Sequence, residues 1–172
     1  MTIIKKNLVL LGMMAVGKST LGKMVAKNQG LRFLDTDQHI EKKNSMSIKE
    51  IFEIKGEKFF RIEEKKETLK LIKKGGCVIA LGGGAFMDKT VRENILKNCV
   101  SVWLDLDINI LNKRSKWNKK RPLLKSQNNL KKLNQIYSER KNIYKLANYK
   151  IICDKLSKKD IINKIISLYE EY

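Results

Sequence analysis

The chain has 172 residues, of which 42% are hydrophobic and 32% charged, and this balance favours a globular domain and excludes intrinsic disorder. A single proline and ten glycines leave no room for a flexible linker, so we expect one domain spanning residues 1–172. The formal net charge is +19, but the excess is scattered lysine without interleaved aromatic residues, which indicates solvated faces and no nucleic-acid partner.

The cysteine content and the N-terminal sequence indicate in which cellular compartment the protein is located. Cys77, Cys99 and Cys153 are odd in number and far apart, and each lies in or beside an apolar run. This pattern predicts free, buried thiols in a reducing compartment and no disulfide or zinc framework. The first apolar run is too short for a signal peptide core or a membrane span. We therefore expect a cytoplasmic protein with no membrane partner.

Apolar runs alternate with helical patterns along the chain. The runs predict five strands, at residues 7–11, 31–34, 77–81, 99–104 and 149–153. Helical patterns occupy residues 18–28, 88–97, 108–114, 130–146 and 161–169, and several successive amphipathic helices lie between the second and third strands. This alternation predicts an α/β fold, with a parallel five-stranded sheet covered by helices on both faces.

The turn after the first strand carries a phosphate-binding motif. Residues 12–19 read G-M-M-A-V-G-K-S and match G-x-x-x-x-G-K-[ST] between a predicted strand and a predicted helix. Backbone N–H groups in such a loop form an anion nest, Lys18 reaches the β- and γ-phosphates, and the Ser19 hydroxyl ligates Mg²⁺. We predict nucleoside triphosphate binding by Gly12, Met13, Met14, Ala15, Val16, Gly17, Lys18, Ser19 and Thr20.

Two further polar motifs follow predicted strands. Asp35 and Asp37 end the second strand, and Gly82–Gly84 ends the third. Ligands in parallel sheets bind beyond the carboxyl ends of the strands, so these motifs and the phosphate loop should meet at one crevice. One carboxylate is suited to hold hydrated Mg²⁺ and the other to accept a proton from a substrate hydroxyl. A purely structural alternative is that Asp37 is a helix N-cap.

Taken in order, the motifs resemble those of shikimate kinases over essentially the whole chain. They are the phosphate loop and the segments F-L-D-T-D at 33–37, G-E-K-F-F-R-I-E-E at 56–64, L-G-G-G-A at 81–85, R-P-L-L at 121–124, and Glu139-Arg140 followed by Tyr144. The resemblance implies a P-loop kinase fold similar to that of nucleoside monophosphate kinases. It also implies an acceptor-binding helical segment at about 35–62, a mobile lid at about 115–125 and a monomer. The reaction it implies is transfer of phosphate from Mg·ATP to shikimate.

The resemblance also implies roles for single residues on the acceptor side. Asp37 would hydrogen-bond the ring hydroxyls of shikimate and act as base or orienting group. Arg61 and Arg140 would clamp the shikimate carboxylate, a task that suits the planar guanidinium fork, and Glu64 would hold Arg61. Gly82, Gly83 and Gly84 would allow the backbone to approach the substrate, with Gly83 the expected direct contact.

On the donor side, the resemblance implies that Lys18, Asp37 and Arg121 are the catalytic residues. Arg121 would close over the phosphates with the lid and neutralise charge on the transferred group. Arg114 would pack on the nucleotide base, and Asp35 would act on Mg²⁺ through water.

Three departures from the family pattern and two alternative functions accompany this interpretation, one departure being Asn142 where the family commonly has proline. Ala15 stands where the family usually carries glycine, so we expect a negative φ there, and the lid lacks the usual glycine. A kinase of the same fold acting on another polyol acid, such as gluconate, is one alternative. A basic nucleic-acid-binding P-loop protein is the other.

Overall fold

A computed structural model describes residues 6–116 and 129–172, and its centre is a single sheet of five parallel strands. The strands are β1 (Asn7–Leu11), β2 (Arg32–Asp35), β3 (Cys77–Ala80), β4 (Cys99–Asp105) and β5 (Tyr149–Ile152). Their order in the sheet is β2-β3-β1-β4-β5, and every neighbouring pair is parallel. The predicted fold class is confirmed, with strand limits within one residue of those expected.

The central strand explains why the sequence shows continuous apolar runs. All five residues of β1 are buried, and because successive side chains point to opposite faces, both faces of the sheet are covered. The edge strands differ: Arg32 in β2 and Lys150 and Ile152 in β5 are exposed. Burial of both faces therefore fixes β1 at the centre of the molecule, and the phosphate loop follows from its end.

Within the residues that the structure describes, eight α-helices and one short 3₁₀ helix connect and flank the strands. They are α1 (Lys18–Gln29), α2 (Thr36–Asn44), α3 (Ile48–Ile54), α4 (Gly56–Ile72), the 3₁₀ helix (Ala85–Met87), α5 (Lys89–Asn98), α6 (Ile108–Lys116), α7 (Asn129–Tyr144) and α8 (Lys158–Glu171). The amphipathic stretch between the second and third strands forms the three helices α2, α3 and α4. Their small separate core contains Ile40, Ile51 and Phe60.

The helix limits follow local sequence signals. Ser47 and Ser157 form capping boxes with Glu50 and Asp160, which fix the starts of α3 and α8. Asp88 accepts a hydrogen bond from the backbone N–H of Val91 and so caps α5. The predicted start of α8 was three residues late because the capping box lies ahead of its first apolar residue.

All three cysteines are free and buried, as predicted. Burial raises the pKa of the Cys99 and Cys153 thiols to about 11. No helix among the described ranges has the length and apolar character needed to cross a bilayer.

Candidate active site

The phosphate loop leaves β1 and enters α1 with its apolar side chains turned into the core. Met13, Met14 and Val16 are each less than 5% exposed and pack within the main hydrophobic cluster. Gly12 and Gly17 have φ values of 139° and 105°, which glycine adopts without the penalty of a Cβ. A Cβ on Gly12 would also lie 2.4 Å from the backbone oxygen of Leu104. The loop is thus anchored by its side chains while its backbone faces outward.

Ala15 does not have the negative φ expected from the sequence. Its φ is 64°, in the left-handed region that L-residues with a Cβ seldom occupy. The expectation was wrong because the loop needs a left-handed turn at this position to bring successive N–H groups around to one side. The chain therefore accepts backbone strain where the resembled family usually carries glycine.

Lys18 spans the phosphate loop at the start of α1. Its Nζ donates to the backbone oxygens of Gly12 and Met13, at 2.9 Å in both cases, and the residue is only 8% exposed. Arg114 reaches the same loop from α6, with its Nη1 3.5 Å from the oxygen of Val16. Two cations therefore approach the loop from different elements.

We call the depression above this loop the phosphate-loop cleft. Its lining residues are Ala15, Gly17, Lys18, Ser19, Thr20, Asp35, Asp37, Ala80, Leu81, Gly83 and Arg114. The three motifs that follow strand ends therefore meet at one crevice, as the parallel-sheet rule predicted.

Asp35 joins the phosphate loop to the start of α2. Its Oδ2 accepts a hydrogen bond from the Ser19 hydroxyl at 2.5 Å, and its Oδ1 accepts from the N–H groups of Asp37 and Gln38. The N-cap of α2 is therefore Asp35, and the alternative that Asp37 is an N-cap is wrong. Asp37 instead lies in the first turn of α2, where its carboxylate lines the cleft.

The oxygens of Ser19 and Asp35 fit a magnesium ion. A hydroxyl and a carboxylate beside a phosphate loop are the protein ligands that Mg²⁺ typically uses there, with phosphate and water oxygens completing the shell. Across residues 6–116 and 129–172 no group of three or more His, Cys, Asp or Glu side chains is arranged to hold a metal alone. The donor set therefore suits an ion that arrives with a nucleotide.

The triple glycine packs against charged side chains of the protein. A Cβ on Gly82 would lie 2.4 Å from Glu64 Oε1 and 2.8 Å from Asp37 Oδ1. On Gly84 it would lie 2.3 Å from Arg61 Nη1. Real Cβ atoms do not come so close to other heavy atoms, so glycine is required for these carboxylates and this guanidinium to converge. The backbone of this segment is held by Thr36, whose hydroxyl accepts from the Gly82 N–H at 2.7 Å.

Arg61 projects from α4 between two carboxylates. Its Nη1 donates to Glu64 at 2.7 Å, and its Nη2 and Nε donate to one oxygen of Glu57 at 3.1 and 3.3 Å. Burial opposes the charge of Arg61, but both carboxylates outweigh it and raise the pKa of the guanidinium. Burial also raises the pKa of Glu64, against the effect of Arg61. The predicted role of Glu64 in holding Arg61 agrees with this geometry.

Arg140 comes to the same place from α7. It is 8% exposed, and a Cβ on Gly83 would lie 3.1 Å from its Nη1. We call the depression around the two arginines the arginine cleft, which is lined by Arg61, Glu64, Lys65, Gly84, Ala85, Met87, Asp88, Glu139 and Arg140. Gly83 and Gly84 therefore form the boundary between the phosphate-loop cleft and the arginine cleft.

All the charged residues among the predicted site residues that the structure describes line one of the two clefts: Lys18, Asp35, Asp37 and Arg114 the phosphate-loop cleft, and Arg61, Glu64 and Arg140 the arginine cleft. Met13, Met14 and Val16 instead bury their side chains in the core. Arg121 and most of the predicted lid, about 115–125, lie outside the described residues. Three contributors had no predicted role: Thr36, which fixes Gly82, Glu57, which binds Arg61, and Tyr144, whose hydroxyl donates to the Gly83 oxygen. Glu57 had a detectable signal, because it precedes Arg61 by four residues on a predicted helix. Thr36 and Tyr144 act on backbone groups of a distant loop, and no spacing rule reports such contacts.

Comparisons with protein-family models and with individual proteins both find similarity to shikimate kinases. The family model for shikimate kinase matches residues 14–170. A shikimate kinase from Sulfurihydrogenibium sp. (strain YO3AOP1) is 40% identical over 162 residues, which cover 94% of this chain and 96% of that protein.

Solved structures extend the comparison to the fold. A shikimate kinase from Acinetobacter baumannii, in complex with shikimate, superposes with a TM-score of 0.93 at 33% identity, covering 97% of this chain and 94% of that one. A gluconokinase from Sinorhizobium meliloti 1021 covers 98% of this chain and 93% of that one, with a TM-score of 0.60 and 12% identity. At that identity the second likeness concerns the fold alone.

Proposed function

Because the chain belongs to the shikimate kinase family, we propose that it transfers the γ-phosphate of ATP to the 3-hydroxyl of shikimate, giving shikimate 3-phosphate. The observation that carries this proposal is the pair of arginines from two separate helices in one cleft. Arg61 on α4 and Arg140 on α7 both line the arginine cleft, and Asp37 lines the phosphate-loop cleft beside the same triple glycine. Such a site suits a small acid with a carboxylate at one end and hydroxyl groups at the other.

Phosphoryl transfer needs little covalent chemistry from the protein, so positioning and charge neutralisation carry most of the catalysis. Lys18 is held beside the loop by two backbone oxygens and would contact the β- and γ-phosphates. Ser19 and Asp35 would hold Mg²⁺, Asp35 through water, and the ion would neutralise charge on the phosphates. Arg121, carried over from the family resemblance, would add a further positive charge once ATP is bound.

On the acceptor side, Asp37 would orient the attacking hydroxyl or take its proton. Its carboxylate lines the phosphate-loop cleft and also lies near Glu64, which borders the arginine cleft. A group that contacts an acceptor hydroxyl and faces the phosphates must lie at this boundary. Arg61 and Arg140 would bind the acceptor carboxylate and so fix the ring in one orientation.

The test is an assay of ADP release with Mg·ATP and each of three additions: shikimate, gluconate, or double-stranded DNA. We expect turnover with shikimate, no more than background with gluconate, and no stimulation by DNA. Mass spectrometry should detect shikimate monophosphate, and two-dimensional NMR should place the phosphate on the 3-oxygen. Turnover with gluconate in place of shikimate would support the first alternative. DNA-stimulated ADP release that shikimate does not affect would contradict the proposal in favour of the second.

A cytoplasmic monomer remains our expectation. Gel filtration at several protein concentrations would test whether the protein is a monomer. We expect elution at the position of a 20.0 kDa globular protein.

A further inference from the structure

Tyr144 is the last residue of α7 and is fully buried. Its ring packs against Trp103 of β4, with 5.8 Å between the ring centroids. The hydroxyl donates a hydrogen bond to the backbone oxygen of Gly83 at 2.5 Å. Ring packing holds the buried phenol in place. Because its hydroxyl donates a hydrogen bond to a loop carbonyl, it restricts the position of that loop.

The same hydroxyl interacts with Arg140, one helical turn earlier on α7. The charge of the Arg140 guanidinium and a hydrogen bond from it act to lower the pKa of this hydroxyl, against the larger effect of burial, and Arg140 Nη1 lies beside the same Gly83, 3.1 Å from where a Cβ would be. A phenol has one O–H donor and acceptor lone pairs, so donation to Gly83 leaves the oxygen able to accept from Arg140. Burial raises the pKa of Tyr144, so the hydroxyl keeps its proton across the physiological range and remains a donor.

Gly83 occupies a sensitive position in the site. It lines the phosphate-loop cleft, and a Cβ placed on it would lie 3.1 Å from Arg140 and 3.9 Å from the backbone nitrogen of Met14. The Tyr144 hydroxyl therefore lies between two groups of the site. One is the Arg140 guanidinium, which lines the arginine cleft, and the other is the Gly83 backbone, which lies between that cleft and the phosphate-loop cleft.

We propose that Tyr144 is a positioning residue for the acceptor, which holds the Arg140 guanidinium and the Gly83 backbone at a fixed separation. The inference rests on the proposed function, because it assumes that Arg140 binds the acceptor carboxylate. Tyr144 does not itself line either cleft, so it acts through Arg140 and Gly83.

The test compares Tyr144→Phe with a matched control, Tyr169→Phe. Tyr169 lies on α8, is 8% exposed, and donates its hydroxyl to the Lys6 backbone oxygen at 2.6 Å, away from both clefts. Both variants lose one tyrosine–carbonyl hydrogen bond, and Tyr144→Phe also loses the interaction with Arg140, so both should lower the melting temperature. In Tyr144→Phe alone we expect the shikimate KM to rise by about five- to tenfold and kcat to fall, with the ATP KM within about twofold.

A double-mutant cycle separates positioning from a general structural effect. In an Arg140→Ala background, Tyr144→Phe should change the shikimate KM by less than about twofold, because the group it positions is gone. Equal effects of Tyr144→Phe with and without Arg140 would overturn the inference. So would an unchanged shikimate KM in the single variant, or equal increases in the KM values of shikimate and ATP. If the wild-type chain does not phosphorylate shikimate, the proposed function itself is wrong, whereas an active wild type with an indifferent Tyr144→Phe contradicts this inference alone.

Discussion

At the scale of single residues, half of the chain's arginines lie at the two clefts. The chain has 37 basic residues but only six arginines, and Arg61, Arg114 and Arg140 lie at the two clefts. A guanidinium offers five donors in a planar fork, which an ammonium group does not reproduce. Arg61 uses three of its nitrogens on two carboxylates, a geometry available to arginine alone.

The substitution Arg61→Lys tests this point. Because a point charge replaces the fork, we expect the shikimate KM to rise by about tenfold or more, with the ATP KM nearly unchanged. Steady-state kinetics with each substrate varied in turn would measure both values. Arg32→Lys is the control, since Arg32 is exposed and donates to the backbone oxygens of Lys74 and Gly75, away from both clefts. Equal losses of affinity for shikimate and ATP in Arg61→Lys would make Arg61 a structural residue.

The strained residue in the phosphate loop allows a second test. Ala15→Gly removes the Cβ that opposes φ 64°, and we expect the free energy of unfolding to rise by about 0.5–1 kcal/mol, less any entropy that glycine adds to the unfolded chain. Urea unfolding followed by circular dichroism would measure it. Ala26→Gly, inside α1, should have the opposite effect and lower stability by about 1 kcal/mol. A loss of stability in both variants would mean that the left-handed turn at Ala15 carries no strain.

At the scale of secondary-structure elements, Asp35 links three parts of the site. One oxygen caps α2 and the other accepts from Ser19 at the start of α1, while its backbone ends β2. Structure and chemistry therefore depend on different properties of one side chain: the cap needs only an acceptor oxygen, whereas cation binding needs the charge.

Two substitutions separate these properties. Asn is as good an N-cap as Asp, so Asp35→Asn should leave the free energy of unfolding within about 0.5 kcal/mol, whereas Asp35→Ala should lower it by about 1 kcal/mol. Both variants should need severalfold more Mg²⁺ for half-maximal rate, because both lose the carboxylate. Thermal melts and magnesium titrations of the rate would measure the two effects. Magnesium dependence like that of the wild type in Asp35→Asn would contradict a role for Asp35 on the ion.

The elements themselves could be predicted well from the sequence. Continuous apolar runs and strand–helix alternation predict the five strands of the sheet, and the strand-end rule predicts that Asp37, Gly83 and the phosphate loop meet. The φ of Ala15 could not be predicted, because the turn geometry of the loop overrides the preference of the residue. The hydrogen bond of Tyr144 with Gly83 joins residues 61 positions apart, and the helix pattern that predicts α7 carries no information about such a contact. Local sequence patterns therefore predict the secondary-structure elements and the position of the cleft. The contacts between cleft residues and the core depend on tertiary packing, which these patterns do not report.

At the scale of the whole molecule, the net charge of +19 should act on rates through long-range attraction. ATP and shikimate are anions, and scattered lysines create a positive field that raises their encounter rate with the protein. Such a field does not require the lysines to be clustered in one basic patch. It therefore acts independently of the arginines, whose planar guanidinium groups serve the contacts inside the site.

The salt dependence of the kinetics tests this field. Between about 0.05 and 0.3 M potassium glutamate, we expect kcat/KM for ATP to fall severalfold and kcat to change little, because screening weakens attraction beyond the Debye length of about 10 Å at 0.1 M. A parallel series in potassium chloride would separate chloride binding at the phosphate loop from screening. A fall in kcat with constant kcat/KM in glutamate would show that salt acts on a step after encounter.

The burial of all three thiols makes the molecule a convenient platform for optical probes. Burial raises the pKa of Cys99 and Cys153 to about 11, and none of the three cysteines is more than 5% exposed, so maleimide dyes should react with them slowly in the native state. Two cysteines introduced at exposed sites, one replacing Lys49 on α3 and one replacing Lys141 on α7, would then be the labelling positions without any change to the native three. Fluorescence energy transfer between such dyes would follow the distance between α3 and α7, the helix that carries Arg140, while each substrate is added.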